Sequence, residues 1–382
     1  MKRPDLMDLY SDFLTSSPNV ASSLLFAKVL DNVFSHDSMT RMLAQPELDQ
    51  KTYWRFIKKT VRQIENDEGV ISIDDFIEHK PHSTENELIA WHYDHTSGTS
   101  KKGINIVSFT YVHHRCEDDE VVKLPIAYEL IRKDQTVMET VKDKKTGKFI
   151  QKTSRKASIG KNELFRSRLH TLTYHNQVKY RYATFDTWYS SAENMKFIVE
   201  DLKKDFVCAI KSNRKISFEV TDGQKPQWES VSEANIEPNR VYKVWLKGIP
   251  FPVALVKKIY HNLNGTVGVQ YLVSSDTSLD VDSLSTIYKD RWSSEEVHRS
   301  LKQNTALEKM PAKMERSQAN HIFASMIAYV KLECLKLATK KNHYTLKRSI
   351  LMKALQQAWQ QIQHFKELCT KNNIHLPNFE GA

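Results

Sequence analysis

The order of strands and helices in the middle of this chain limits its fold more than any other feature. Three runs rich in apolar and β-branched residues read as strands: Gly69-Val-Ile-Ser-Ile-Asp74-Asp75, Ile104 to His114, and Val121 to Ile131. Ser158 to Tyr174 then reads as a helix carrying Lys161, Arg166 and Arg168. A fourth strand, Tyr180 to Phe185, stops at Asp186, and a helix from Ala192 to Leu202 leads to a strand from Phe206 to Ile210. Three strands, a helix, a strand, a helix and a strand describe an α/β unit, a mixed sheet flanked by helices. Acids close two of those strands. If the strands are neighbours, the acids approach one another in space.

This is the element order of a ribonuclease-H-like core, and it divides the 382 residues into parts. Residues 1–66 form a helical region. Ser35 caps a short helix that stops near Pro46, and a second helix starts near Thr52. Trp54, Ile57, Val61 and Ile64 fall on one side of it, with Lys51, Arg55, Lys58, Lys59 and Arg62 beside them. A short helix followed by a basic one resembles a helix-turn-helix; a solvated amphipathic helix has the same pattern. Residues 67–211 hold the first part of the core. Residues 212–276 form a β-rich insertion with candidate strands Val241 to Leu246, Pro252 to Ile259 and Val267 to Val273, and an Asn264-Gly265 turn. Residues 277–382 return to helix, including Gln318 to Leu337 and Leu346 to Leu368. Lys142 to Lys156, basic and poor in apolar residues, reads as a loop.

The sharpest local pattern is Tyr-x2-Arg-x3-Glu-x6-Lys, at Tyr288, Arg291, Glu295 and Lys302. On a continuous α-helix these fall within a stripe about 60° wide. One acid then stands among two cations and a phenol, a layout suited to a carboxylate that binds a metal beside a phosphate-rich substrate. Like charges drawn together at strand ends raise one another's pKa unless a cation intervenes. Hard carboxylate oxygens suit Mg2+ or Mn2+. A pair of such ions can activate a water or a 3′-hydroxyl and stabilise the leaving oxygen of a phosphodiester. A lone strand-end Asp is usually a turn former; the conjunction with the signature is what points to chemistry. Trp188 and Trp292 read as core aromatics, with stacking on an exposed base as the alternative, and Asp94 is a reserve metal ligand.

Composition agrees. The net charge is +10 with 27% charged and 40% hydrophobic residues, a soluble chain suited to a polyanionic partner. Cys116, Cys208, Cys334 and Cys369 are scattered, so neither a zinc knuckle nor a disulfide framework is expected. Neither His92, Asp94 and His95 nor His113, His114 and Cys116 has a zinc-site spacing. Gly98 to Gly103 has P-loop glycine spacing, but Ile104 replaces the required Lys. The first residues lack the apolar core of a signal peptide, and Ile322 to Val330 is too short to span a bilayer. The expected setting is reducing and cytoplasmic, without a membrane.

With Asp74-Asp75, Asp186-Thr-Trp188, the β-rich segment and the complete Tyr288, Arg291, Glu295, Lys302 series, the chain resembles DDE transposases of bacterial insertion sequences, of the insertion-sequence-four type with the Tyr-Arg-Glu-Lys signature. The resemblance covers most of the chain. It implies a ribonuclease-H-like fold and two divalent ions, Mg2+ or Mn2+, held by Asp186, Glu295 and either Asp74 or Asp75. It implies cleavage of double-stranded DNA at terminal inverted repeats, joining of the 3′-hydroxyl ends to target DNA, and a homodimer on paired ends at the nucleoid. Tyr288, Arg291 and Lys302 would contact DNA, as would Arg55, Lys58, Lys59 and Arg62. A nuclease of the same fold without strand transfer, or an inactive DNA-binding relative, are the alternatives.

Overall fold

A computed structural model describes residues 3–17, 20–94, 97–115, 120–142, 147, 149–219, 226–261 and 265–375. Four helices come first: α1 (Arg3–Ser16), α2 (Ser23–Val29), α3 (His36–Leu43) and α4 (Gln50–Ile64). Side chains cap three of them: Ser22, Ser35 and Asp49 each accept a bond from the backbone N–H three residues on. α4 buries Tyr53, Ile57 and Val61, and keeps Trp54 and Ile64 half-buried. Its Tyr53 hydroxyl donates to the Pro125 carbonyl, and its ring meets Phe323 edge-on.

The strands are β1 (Val70–His79), β2 (Ala90–Asp94), β3 (Thr99–His114), β4 (Val121–Leu130), β5 (Gln135–Lys142), β6 (Phe149–Lys156), β7 (Tyr182–Phe185), β8 (Asp205–Ile210), β9 (Lys215–Ser217), β10 (Glu229–Ser230), β11 (Val241–Leu246), β12 (Pro252–His261) and β13 (Val267–Ser274). Among them, β4, β3, β1, β7 and β8 lie side by side in that order. The first three are antiparallel, whereas β1, β7 and β8 run parallel. Parallel neighbours need crossovers, and helices supply them. α5 (Lys161–His170) precedes β7, and α6 (Ala192–Lys196) precedes β8. Each ends in a π turn, Thr171–His175 and Phe197–Asp201. This mixed sheet flanked by helices is compatible with a ribonuclease-H-like core.

Three strands fall where the sequence predicts them between residues 212 and 276. They extend the same sheet, with β13 antiparallel to β8 and the order continuing through β12, β11, β9 and β10. Pro125 stands where the β3–β4 register shifts between Phe109 and Thr110, a break that tolerates its missing donor. Gly103 is required by close approach: a Cβ there would lie 2.1 Å from the Glu78 carbonyl oxygen. Residues 142–156 differ from the expected loop. β6 pairs with β5 in a separate two-stranded sheet, from Gln135 opposite Lys156 to Lys142 opposite Phe149, which low apolar content obscured. The Asn264 turn lies partly outside the described residues; Gly265 has φ +79°.

Four helices end the chain: α7 (Val281–Lys289), α8 (Trp292–Asn304), α9 (Glu315–Thr339) and α10 (His343–Lys371). α9 is buried almost all round and packs on α1, α3, α4 and β4. One apolar cluster runs from Leu6 in α1 through the sheet to Val330 in α9. A second, smaller cluster sits under α7, between Leu284 and Val70, Tyr182 and Val207.

Candidate active site

Strand alternation builds the site. Along β1, Val70 joins the cluster under α7, while Ile71 and Ile73 join the main core. Side chains two residues apart share a face, so Ser72 and Asp74 look toward α8 while Asp75 looks the other way. The bonds agree: Ser72 meets the Ser294 hydroxyl at 2.8 Å and donates to the Arg291 carbonyl. β7 runs parallel with Ile73 opposite Phe185. Carried one residue further, that register sets Asp186 against Asp74. Asp186 also folds its own loop, accepting from the backbone N–H of Trp188 at 2.9 Å.

Asp74 and Asp75 live in different surroundings. Asp75 is paired with Lys161 at 2.6 Å and accepts from Asn105 at 2.9 Å and from the Tyr189 hydroxyl at 3.0 Å. Burial works to raise its pKa, but the Lys161 charge and these donors overcome it and hold it below the usual range. Asp74 accepts the Asp75 N–H at 2.8 Å and a long bond from Arg291 at 3.5 Å. Burial, opposed by Arg291 and reinforced by the charges of Asp186 and Asp75, pushes its pKa up to about 7. Burial raises Asp186 as well. Two neighbouring carboxylates thus share one guanidinium, which does not offset their burial and mutual repulsion, the condition a divalent ion relieves.

The four signature residues stand in one region but not on one helix. α7 ends at Lys289, and the chain crosses Asp290 and Arg291 before α8 begins. The junction is a tightened turn of i→i+3 bonds, Arg291 N–H to Tyr288 and Ser294 N–H to Arg291. Buried Asp290, held by His114 at 2.7 Å, fixes it. The single continuous stripe expected from the spacing is therefore broken after Tyr288. Tyr288 is half-buried, takes a bond from Gln270 at 3.3 Å, and is pushed up to about 12 by burial. Arg291 lies over the Tyr288 and Trp292 rings and reaches Glu295 at 3.0 Å, so its guanidinium joins Glu295 to Asp74. Lys302, two turns beyond Glu295, lies over Phe76 and pairs with Glu308 at 3.2 Å.

A cleft of about 560 Å³ opens where β1 runs on past the end of β7; β1 continues to His79 along β3, so Asp74 and Asp75 stand mid-strand rather than at the strand end that the sequence predicts. Asp74, Asp75 and Asp186 form its floor, with Lys101, Lys161, Lys211 and Lys302 among its walls. Lys101 and Lys211 carry no local sequence pattern, and Lys161 stands in the sequence only as one cation of a basic helix; the fold gathers them. Trp188 also lines the cleft, 38% exposed and with Lys161 over its ring, and Trp292 is 58% exposed. Neither is the core aromatic expected, because each follows the turn that closes its element. Asp94 lies on the rim, paired with Lys101.

No group of three or more His, Cys, Asp or Glu side chains able to share a metal occurs among the described residues. His95 and Cys116 lie outside those residues. Asp74 and Asp186 offer the hard oxygen donors that Mg2+ takes, while Glu295 is held by Arg291. The fit is therefore two carboxylates at the cleft floor with the third acid adjoining.

On α4, Arg55, Lys58 and Lys59 are exposed. Arg62 bonds Glu65 and the carbonyls of Asn176 and Gln177. No helix is long and apolar enough to cross a membrane among the described residues.

A family model described as DDE superfamily endonuclease matches residues 3–231, and one described as Transposase DDE domain matches residues 132–331. No curated protein matches the sequence. Each family model spans more than half of the chain, and the chain belongs to the DDE superfamily of endonucleases and transposases, enzymes that act on DNA.

Proposed function

We propose that this protein is a transposase of the insertion-sequence-four type, which cuts DNA at the terminal inverted repeats of its element and joins the 3′-hydroxyl ends to target DNA. One observation carries the reading: Asp74, mid-strand in β1 just past its last pairing with β7, and Asp186, directly after β7, meet at the floor of a lysine-walled cleft, both with raised pKa. Of the two adjacent aspartates, Asp74 is the metal ligand, because Asp75 is already neutralised by Lys161. Asp75 instead fixes the wall of the site. Glu295 is the third acid, released to the cleft when Arg291 turns to a phosphate.

Enzymes of this superfamily generally use divalent metals. Asp74, Asp186 and Glu295 would hold two Mg2+ or Mn2+ ions, which lower the pKa of a bound water or hydroxyl and stabilise the leaving oxygen. The chain's own residues do the rest. Arg291 and Lys302 grip phosphates beside the acids, and Tyr288 supports Arg291 through its ring. Lys101, Lys161 and Lys211 draw the DNA backbone into the cleft. Residues 1–66 bind the element end, with Arg55, Lys58 and Lys59 on the outer face of α4. Residues 67–211 and 277–382 form the catalytic core, and residues 212–276 are its insertion. The protein works as a homodimer on paired ends at the nucleoid.

The test is cleavage and strand transfer of a labelled element end in Mg2+. Asp74→Asn, Asp186→Asn and Glu295→Gln should each abolish both steps. Cleavage that survives Asp74→Asn would overturn the assignment of that residue. Cleavage without joining by the unaltered chain would leave a nuclease.

A further inference from the structure

The pairing of β1 with β7 ends at Ile73 opposite Phe185, one residue short of both Asp74 and Asp186. The backbone ladder therefore brings the two acids up to the cleft but does not itself fix their separation. Two carboxylates that serve one ion need that separation fixed, because Mg2+ demands near-ideal oxygen positions at about 2.1 Å. A tie past the end of the ladder must supply it.

Tyr189 stands in that place. It lies three residues after Asp186 and is buried. Its hydroxyl donates to Asp75 Oδ1 at 3.0 Å, and Asp75 in turn donates its backbone N–H to Asp74 Oδ1 at 2.8 Å. The backbone N–H of Tyr189 reaches Asp186 Oδ1 at 3.4 Å, beside the shorter bond from Trp188. One residue thus bears on both acids, on Asp186 directly and on Asp74 through its neighbour. An amide oxygen at position 75 would accept the same hydroxyl, so the tie depends on the phenol rather than on the charge of Asp75.

The tie is stiff because Tyr189 is held at its other points. Its ring stacks on Phe165, with centroids 5.3 Å apart and planes at 19°, and meets Trp188 edge-on. Its carbonyl accepts from the Asn194 side-chain amide at 2.9 Å, and Asn194 also bonds Asn162 and Arg166 of α5. Lys161 and Phe165 lie four residues apart on α5. The helix face that packs the Tyr189 ring therefore also brings Lys161 to the other oxygen of Asp75. A tyrosine suits the task, with a rigid aromatic body to pack and a polar tip to bond.

We propose that Tyr189 is a positioning residue of the metal site: its hydroxyl, held on Asp75, sets the separation at which Asp74 and Asp186 serve a divalent ion. The inference rests on the assignment of those two acids as metal ligands. Tyr189 acts through Asp75 and Asp186 rather than on the reacting atoms.

Tyr189→Phe removes the hydroxyl and keeps the ring in its packing. Mn2+ titrated into the full chain, with the free ion followed by its electron paramagnetic resonance signal, reports metal affinity without any catalysis. Cleavage of a labelled DNA end across a Mg2+ series reports the concentration at half-maximal rate. Both half-saturation concentrations should rise about tenfold, the usual loss when a group behind a metal ligand is removed, and high Mg2+ should restore most of the cleavage. Phe165→Leu loosens the ring but keeps the hydroxyl; it should raise both by a smaller factor, and it carries the test if Tyr189→Phe does not fold. Tyr180→Phe controls for a merely structural effect. It also deletes a buried hydroxyl bond, with Thr173 at 2.7 Å, and should leave both concentrations unchanged. Unchanged half-saturation in Tyr189→Phe, or an equal rise in Tyr180→Phe, overturns the proposal and leaves the two acids as ligands. If Asp74→Asn binds Mn2+ as the unaltered chain does, the metal assignment itself falls, and the role of Tyr189 with it.

Discussion

Adjacent on β1, Asp74 and Asp75 face opposite layers of the molecule, and their environments differ in kind. Asp75 has a lysine, an amide and a phenol arranged around it, so its charge is stabilised where it stands in the wall of the cleft. Asp74 has one backbone bond and a guanidinium at 3.5 Å shared with Glu295. Its charge is left under-neutralised next to Asp186. A carboxylate surrounded by donors is neutralised in place, whereas one with a single backbone donor and a shared guanidinium is still open to a cation.

The sharpest way to break this comparison is to neutralise each acid in turn. Asp74→Asn should lower Mg2+-dependent cleavage by about a thousandfold or more, as loss of a metal-binding carboxylate removes the ion's contribution to the transition state. Single-turnover cleavage of a labelled end measures it. Asp75→Asn should retain the metal site and much more of the cleavage. Its cost falls on folding instead: Lys161 is left half-buried without its partner, and stability should drop by about 3 kcal/mol. Denaturant unfolding in EDTA reads that difference. The reverse pattern, with Asp75→Asn inactive but stable, would exchange the two roles.

The same unfolding measurement gives a smaller effect of opposite sign. With no divalent ion present, Asp74→Asn should be more stable than the unaltered chain at pH 8, by about 1 kcal/mol, because it removes a buried charge that repels Asp186. Arg291→Gln adds to the contrast. It should leave Asp75 and its partners undisturbed while loosening Glu295 from Asp74, so cleavage falls but the unfolding midpoint moves little.

How far these contrasts were legible in the sequence depends on the distance between cause and pattern. The core strands and the two crossover helices could be read because apolar periodicity and β-branched runs are local. The adjacency of Asp74 and Asp186 follows from the parallel pairing of β1 with β7, which element order implies. The choice between Asp74 and Asp75 was not legible, since alternation says that they point apart but not which layer lies on which side. The structure supplies the side: Ser72 meets Ser294, a contact 222 residues apart in sequence, and Asp74 shares its face. The break between α7 and α8 was hidden for the same reason: Asp290 is fixed by His114 on β3, so helical spacing alone made Tyr288 and Glu295 look continuous. The hairpin of β5 and β6 was missed because it buries little and shows only weak alternation.

The α8 side of β1 also holds a neutral histidine, whose titration tests whether that layer is sealed. His298 is buried against Phe76, with rings 4.1 Å apart, and its Nε2 bonds the Ser108 hydroxyl at 2.6 Å. Burial pushes its pKa down to about 3. In the unfolded chain it titrates near 6.5, so between about pH 6.5 and 3 the unfolded state binds the proton and the folded state does not. The sign follows: stability is constant above that window and falls as pH is lowered through it, by about 2 kcal/mol from pH 7 to pH 5. His92 and His321, both lowered to about 4 by burial, add slopes of the same sign. The diagnostic is therefore the difference between the unaltered chain and His298→Asn, measured by denaturant unfolding across that range in EDTA. The variant should lose part of the acid slope and keep the rest. An unchanged slope would mean that His298 takes up its proton in the folded state, and that the layer between β1 and α8 is open to water rather than sealed beneath Asp74.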